Sequence, residues 1–209
     1  MSINGYFRVK NSIENEIIIE KSRFITYTFK ATCEDQAKAF IDGIRKKHPF
    51  ATHNCYAYIT DGGKIARFSD DGEPQGTAGI PMLEVIKNRD LKDTAVVVTR
   101  YFGGIKLGAG GLVRAYSSST SAALDKAGVE ENLLANLYSV TFGYDKYSLF
   151  LKFMENRKHQ TVSSDFDSEI TVKIAIPSTD TDFTPKLTDY FLGKVIIKSE
   201  GQTFVVFGG

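Results

Sequence analysis

The chain has 209 residues, of which 42% are hydrophobic and 24% charged, and its 26 Lys and Arg nearly cancel 25 Asp and Glu. That is ordinary globular composition with room for two small domains, and a formal net charge of +1 excludes a protein that coats nucleic acid through bulk basic excess. No apolar run approaches the ~20 residues of a membrane span, Met1 to Gly5 lacks the features of a secretory signal, and Cys33 with Cys55 makes neither a disulfide framework nor a Cys-x-x-Cys pair, so a reduced cytoplasm and no membrane partner are expected.

Glu16 to Glu20 and Arg23 to Ala31 are rich in strand formers and joined by a tight turn. Cys33 to Lys47 reads as a helix with Ala37, Phe40, Ile41 and Ile44 on one face and Thr32 as its cap. Asn54 to Thr60 and Lys64 to Phe68 read as a hairpin about Asp61-Gly62-Gly63. Thr77 is expected to cap a helix over 80–89, followed by a strand over 94–99, a glycine-rich loop and a helix over 111–127. This order predicts α+β architecture with a sheet covered on one face. From Leu137 onward, a strand (137–144), a helix (146–158), two strands (160–165 and 169–177), a helix (181–192) and a strand (194–207) follow one another. That is the split βαβ order of a ferredoxin-like domain. The expected boundary divides 1–134 from 135–209, without a Pro-, Gly- or Ser-rich linker. Tyr144, Tyr147, Phe150, Phe153 and Tyr190 read as core of the second domain.

The stretch from Arg100 to Arg114 departs most from ordinary composition. It holds Gly103, Gly104, Gly108, Gly110 and Gly111, together with Arg100, Lys106 and Arg114, and no acid. Glycine admits close approach of another molecule, and a glycine-rich turn opening a helix directs backbone N–H groups and the helix dipole at an anion. These eight residues are the expected anion or nucleic-acid site. The segment is neither a Walker loop nor a dinucleotide fingerprint, since Val113 stands where the third glycine would be. Ser117 to Ser121 lie too far into the helix to meet a phosphate, and read as small residues that allow close packing on a sheet.

Two further segments carry candidate chemistry. Asp70, Asp71 and Glu73 crowd an Asp-Gly/Glu-Pro turn. They read either as an exposed acidic turn or as ligands for a divalent cation, although the spacing fits no calcium loop. His53 and Cys55 fall on one face of a strand in which Cys55, Ala57 and Ile59 alternate with Tyr56 and Tyr58. A Cys–His pair suggests nucleophile and base, but neighbours two apart on a strand run parallel. His53 is therefore kept as a candidate site residue, and Cys55 reads as structural.

Three motifs together resemble the IMPACT family. They are His-Pro-x-Ala-x-His-x-Cys-Tyr-Ala-Tyr at 48–58, Ser-Asp-Asp-Gly-Glu-Pro-x-Gly-Thr-Ala-Gly at 69–79, and Arg-Tyr-Phe-Gly-Gly-Ile-Lys-Leu-Gly-x-Gly-Gly-Leu-x-Arg-Ala-Tyr at 100–116. The resemblance implies a signature domain like the second domain of a small-subunit ribosomal protein and the fourth domain of elongation factor G. It also implies a C-terminal domain like the fifth domain of that factor. Eukaryotic relatives inhibit activation of a translation-factor kinase through a different N-terminal domain, so that mechanism is not carried over. The resemblance implies structured RNA, the ribosome or a translation factor as partner, and no cofactor. Two alternatives stay open: an enzyme of small phosphorylated substrates that uses the acidic turn for a metal, and an adaptor whose motifs serve only the fold. Nothing in the residues themselves requires catalytic turnover.

Overall fold

Alternation along the central strands decides how the first half is covered. In a computed structural model describing residues 4–207, the chain divides into one unit of residues 6–130 and another made from residue 131 onward with the residues before Tyr6. The elements up to the glycine segment are β1 (Gly5–Val9), β2 (Glu14–Ile19), β3 (Ser22–Lys30), α1 (Glu34–Lys47), β4 (His53–Thr60), β5 (Ile65–Ser69), α2 (Gly79–Asn88), β6 (Thr94–Tyr101) and α3 (Gly108–Ala127). Five strands form an antiparallel sheet in the order β2-β3-β6-β4-β5.

Phe24, Cys55, Ala57, Val96 and Val98 leave one face of this sheet and pack with Met82, Leu83 and Ile86 of α2 and Leu112, Tyr116 and Leu124 of α3. Ile25, Tyr27, Tyr58, Ala95 and Val97 leave the other and pack on Ala37, Ile41 and Ile44 of α1. Both faces are thus covered, which corrects the expectation of a one-sided sheet. The unbroken run Ala95 to Val98, every residue buried, is what a strand enclosed on both sides requires.

The helix starts also differ from expectation. Thr32 does not cap α1; its N–H and hydroxyl instead engage Gln36 Oε1 at 2.9 and 3.0 Å, a side chain of the first turn reaching back to the entering backbone. Thr77 does not cap α2, and its hydroxyl donates to the Pro74 carbonyl. Asp70 Oδ1 takes over, accepting from Ala78 N at 3.0 Å and Gly79 N at 2.8 Å. Its negative charge at the α2 N-terminus adds a favourable dipole interaction. α3 begins at Gly108, so Gly108 and Gly110, expected in the loop before residue 111, belong to its first turn.

The second unit runs β7 (Val129–Phe142), α4 (Tyr147–Met154), β8 (Gln160–Phe166), β9 (Ile170–Pro177), α5 (Phe183–Tyr190) and β10 (Ile196–Val205). Its antiparallel strands lie in the order β10-β7-β9-β8, the ferredoxin-like arrangement expected from the element order. Val140, Phe142, Phe150, Met154, Ile170, Val172, Phe183 and Leu187 form the core between sheet and helices. Of the aromatics expected there, Phe150 is buried, and Tyr147 and Phe153 are partly buried and pack against this core. Tyr144 and Tyr190 are 54% and 40% exposed, because their polar hydroxyls favour the rim.

Candidate functional site

Register fixes what lies under the motifs. Arg100 on β6 is directly opposite Phe24 on β3 and His53 on β4, so its side chain enters the space between the sheet and α2 and α3. It is only 5% exposed. Arg100 Nη1 donates to Glu73 Oε1 at 2.6 Å, Nη2 to Ser22 Oγ at 3.3 Å, and the Tyr116 hydroxyl donates to the same Glu73 oxygen at 2.8 Å. Arg100 is therefore not the exposed cation that its place beside the glycines suggests. Burying a guanidinium demands a charged acceptor, and the acidic turn supplies it. The Arg100 Nε–H, also buried, has no acceptor among the described residues.

The other acids are likewise committed. Asp70 holds the α2 start, and its Oδ2 accepts from Gly76 N at 2.8 Å. Asp71 accepts from Asn54 N at 2.6 Å and from Arg45 at 3.0 Å. Glu73 is 8% exposed. The turn is thus neither a solvated acidic surface nor a metal cage: among the described residues no three His, Cys, Asp or Glu side chains converge as ligands. His53 Nδ1 lies 2.8 Å from the Asp71 carbonyl. A carbonyl only accepts, so Nδ1 carries the proton and Nε2 faces Glu73 Oε2 at 3.7 Å.

The Cys55 thiol is fully buried, donates to the Asp70 carbonyl at 3.0 Å and lies 3.4 Å from the Tyr116 hydroxyl. Burial, reinforced by the nearby Glu73 and Asp71 carboxylates, pushes the thiol far up from its ordinary value. Reactivity follows the thiolate, so iodoacetamide at neutral pH is expected to leave Cys55 unmodified in the native protein and to alkylate it only after denaturation. Rapid native alkylation suppressed by His53→Ala would instead make the pair a catalytic dyad.

Above the buried pair, the 69–79 and 100–114 segments meet in a cleft of about 290 Å³. Pro74, Phe102, Leu107 and Leu112 form apolar walls, Lys106 stands at the edge, and Gly108 and Ala109 present the first turn of α3. The helix carries no acid in its first turn and has no side-chain cap among the described residues. Gly104 and Gly108 have φ of +84° and +68°, with no described atom within 4 Å of where a Cβ would stand. A second cleft of about 480 Å³ shares Lys106 and Leu107 and is lined further by Ile19, Glu20 and Arg114.

Comparison with known proteins places this arrangement. The family model of the Impact N-terminal domain matches residues 20–124. The chain belongs to the IMPACT family. The IMPACT family member YvyE of Bacillus subtilis is 53% identical over 143 residues, 68% of this chain and 66% of that protein. An IMPACT family member of Haemophilus influenzae is 35% identical over 198 residues, 92% of this chain and 96% of that one. A crystal structure of a hypothetical protein superposes with a TM-score of 0.63 at 30% identity, covering 93% of this chain and 97% of the other.

The geometry separates the IMPACT motifs into two sets. Asp70, Asp71, Glu73, Arg100 and Tyr116 hold the unit together through the bonds described above. Gly79 is forced by packing, since a Cβ there would come within 2.9 Å of the Ser69 backbone. Gly104, Lys106, Gly108, Gly110 and Arg114 are exposed and hold no such contact among the described residues. Periodicity could not have separated these sets, because Arg100 and Arg114 differ only in which element carries them.

Proposed function

We propose that this protein binds structured RNA, at the ribosome or on a translation factor, by seating backbone phosphates on the N-terminus of α3 between Lys106 and Arg114. The observation that supports it is what meets at one cleft beside the buried Glu73–Arg100 pair: a helix start with no side-chain cap among the described residues, an open Gly108 and an exposed Lys106. Backbone N–H groups at a helix start and flanking cations are the complement of a phosphate. The family resemblance supplies the translation context, and the near-neutral net charge makes the patch a local feature rather than a general coat.

The test is filter binding of small-subunit ribosomal RNA over a salt series, comparing wild type with Lys106→Ala/Arg114→Ala. The double variant is expected to bind more weakly at low salt and to lose about two units of slope in log K against log salt, about one for each phosphate-neutralising cation. Both side chains are exposed, so folding is expected to be unaffected. Equal affinity and slope in the two proteins would remove the phosphate role.

A further inference from the structure

We infer that the 290 Å³ cleft receives an unstacked nucleobase, so that the part of the structured RNA held here is an unpaired strand continuing past Lys106 into the second cleft. This rests on the phosphate reading above and extends it from charge to shape. A phosphate alone needs polar donors and little room, whereas this cleft is walled by Pro74, Phe102, Leu107 and Leu112 and approaches the lower end of small-molecule pockets, about 300 Å³.

Phe102 provides the stacking surface. Phe102 is 48% exposed, with the Arg100 guanidinium 5.5 Å from the ring centroid. Its backbone is anchored: Phe102 N donates to Thr52 Oγ1 at 3.1 Å, and Thr52 N donates to the Arg100 carbonyl at 2.8 Å. The loop that supplies Thr52 also carries Phe50, 90% exposed. An aromatic ring fixed in place and open to solvent beside cations is the common platform for unpaired bases.

The base of the cleft is polar in the manner a nucleobase edge needs. Glu73 and Arg100 both line it, one an acceptor and the other a donor. A base edge offers donors and acceptors side by side, and a hydrocarbon ligand offers neither. Continuity argues for a strand over a free nucleotide. Lys106 borders both clefts and Arg114 lies in the second, which suits successive phosphates flanking one inserted base. A duplex keeps its bases stacked inside and can offer this surface only phosphates.

The experiment measures fluorescence anisotropy of a labelled mixed-sequence RNA octamer, the same octamer with one abasic residue at its centre, a blunt duplex of that sequence, and unlabelled nucleoside monophosphates as competitors. Wild type is expected to prefer the single strand over the duplex. Phe102→Ala should weaken the strand roughly tenfold, the scale of one base–aromatic stack, with its salt slope unchanged, and Phe102→Tyr should restore it. The abasic strand should lose a similar factor on wild type and little further on Phe102→Ala. Equal binding of strand and duplex, both dependent on Lys106, would overturn the base pocket and leave the phosphate reading standing. Monophosphates competing as strongly as the octamer would overturn the strand. Binding of neither strand nor duplex would overturn the phosphate reading itself.

Discussion

Glu73→Ala is expected to destabilise the N-terminal unit by about 3–5 kcal/mol, because it leaves a buried guanidinium without its counter-charge. The Glu73 and Arg100 side chains are 3% and 6% exposed and 2.6 Å apart, so water cannot replace the lost carboxylate. Tyr116 loses its acceptor in the same step. The double variant Glu73→Leu/Arg100→Met should recover most of the loss, since removing both members of a buried pair is far cheaper than removing one. Urea denaturation of the single and double variants checks this. A loss under 1 kcal/mol for Glu73→Ala would mean that the acidic turn is not held by this pair and that the cleft base is mobile.

The elements with their own periodicity were legible in the residues alone. The apolar face of α1, the β4–β5 hairpin and the strand–helix order of the second unit all depend on side chains within one turn or one strand of each other. The features that were missed depend on partners far along the chain. β1 is five residues long and is placed by contacts such as the Phe7–Leu91 bridge, which no local pattern announces. Arg100 looked like a surface cation because its counter-ion stands 27 residues away, on a turn whose own acids looked solvated. Glycine disfavours helix by about 1 kcal/mol per residue, so local propensity argued against an α3 start at Gly108. Tertiary packing of Leu112, Ala115 and Tyr116 overrides it. For the candidate site, residue type singled out the segment but could not tell its structural cation from its exposed ones. That distinction is a matter of which face β6 and α3 turn toward the core.

Gly103→Ala is expected to cost about 3 kcal/mol, at the upper end of overpacking effects, because the atoms it would strike are backbone. A Cβ on Gly103 would stand 2.0 Å from the Lys21 carbonyl carbon, 2.1 Å from its oxygen and 2.4 Å from Ser22 N. Those atoms belong to the β2–β3 turn, where Glu20 and Lys21 already hold φ of +45° and +64°, so the turn has little freedom to retreat. Ser22 Oγ accepts from both Gly103 N and Arg100 Nη2. Displacing the turn therefore loosens Arg100 and, through it, the base of the cleft. Gly104→Ala is the internal comparison. It meets no described atom within 4 Å and suffers only its φ of +84°, a strain of about 1–2 kcal/mol. Gly43→Ala, mid-helix in α1 and equally unobstructed, should instead stabilise by about 0.5–1 kcal/mol. Equilibrium denaturation of the three variants should rank Gly103 below Gly104 below wild type below Gly43. If Gly103→Ala and Gly104→Ala cost the same, close approach to Lys21 is not what requires the first glycine, and conformational strain alone accounts for both.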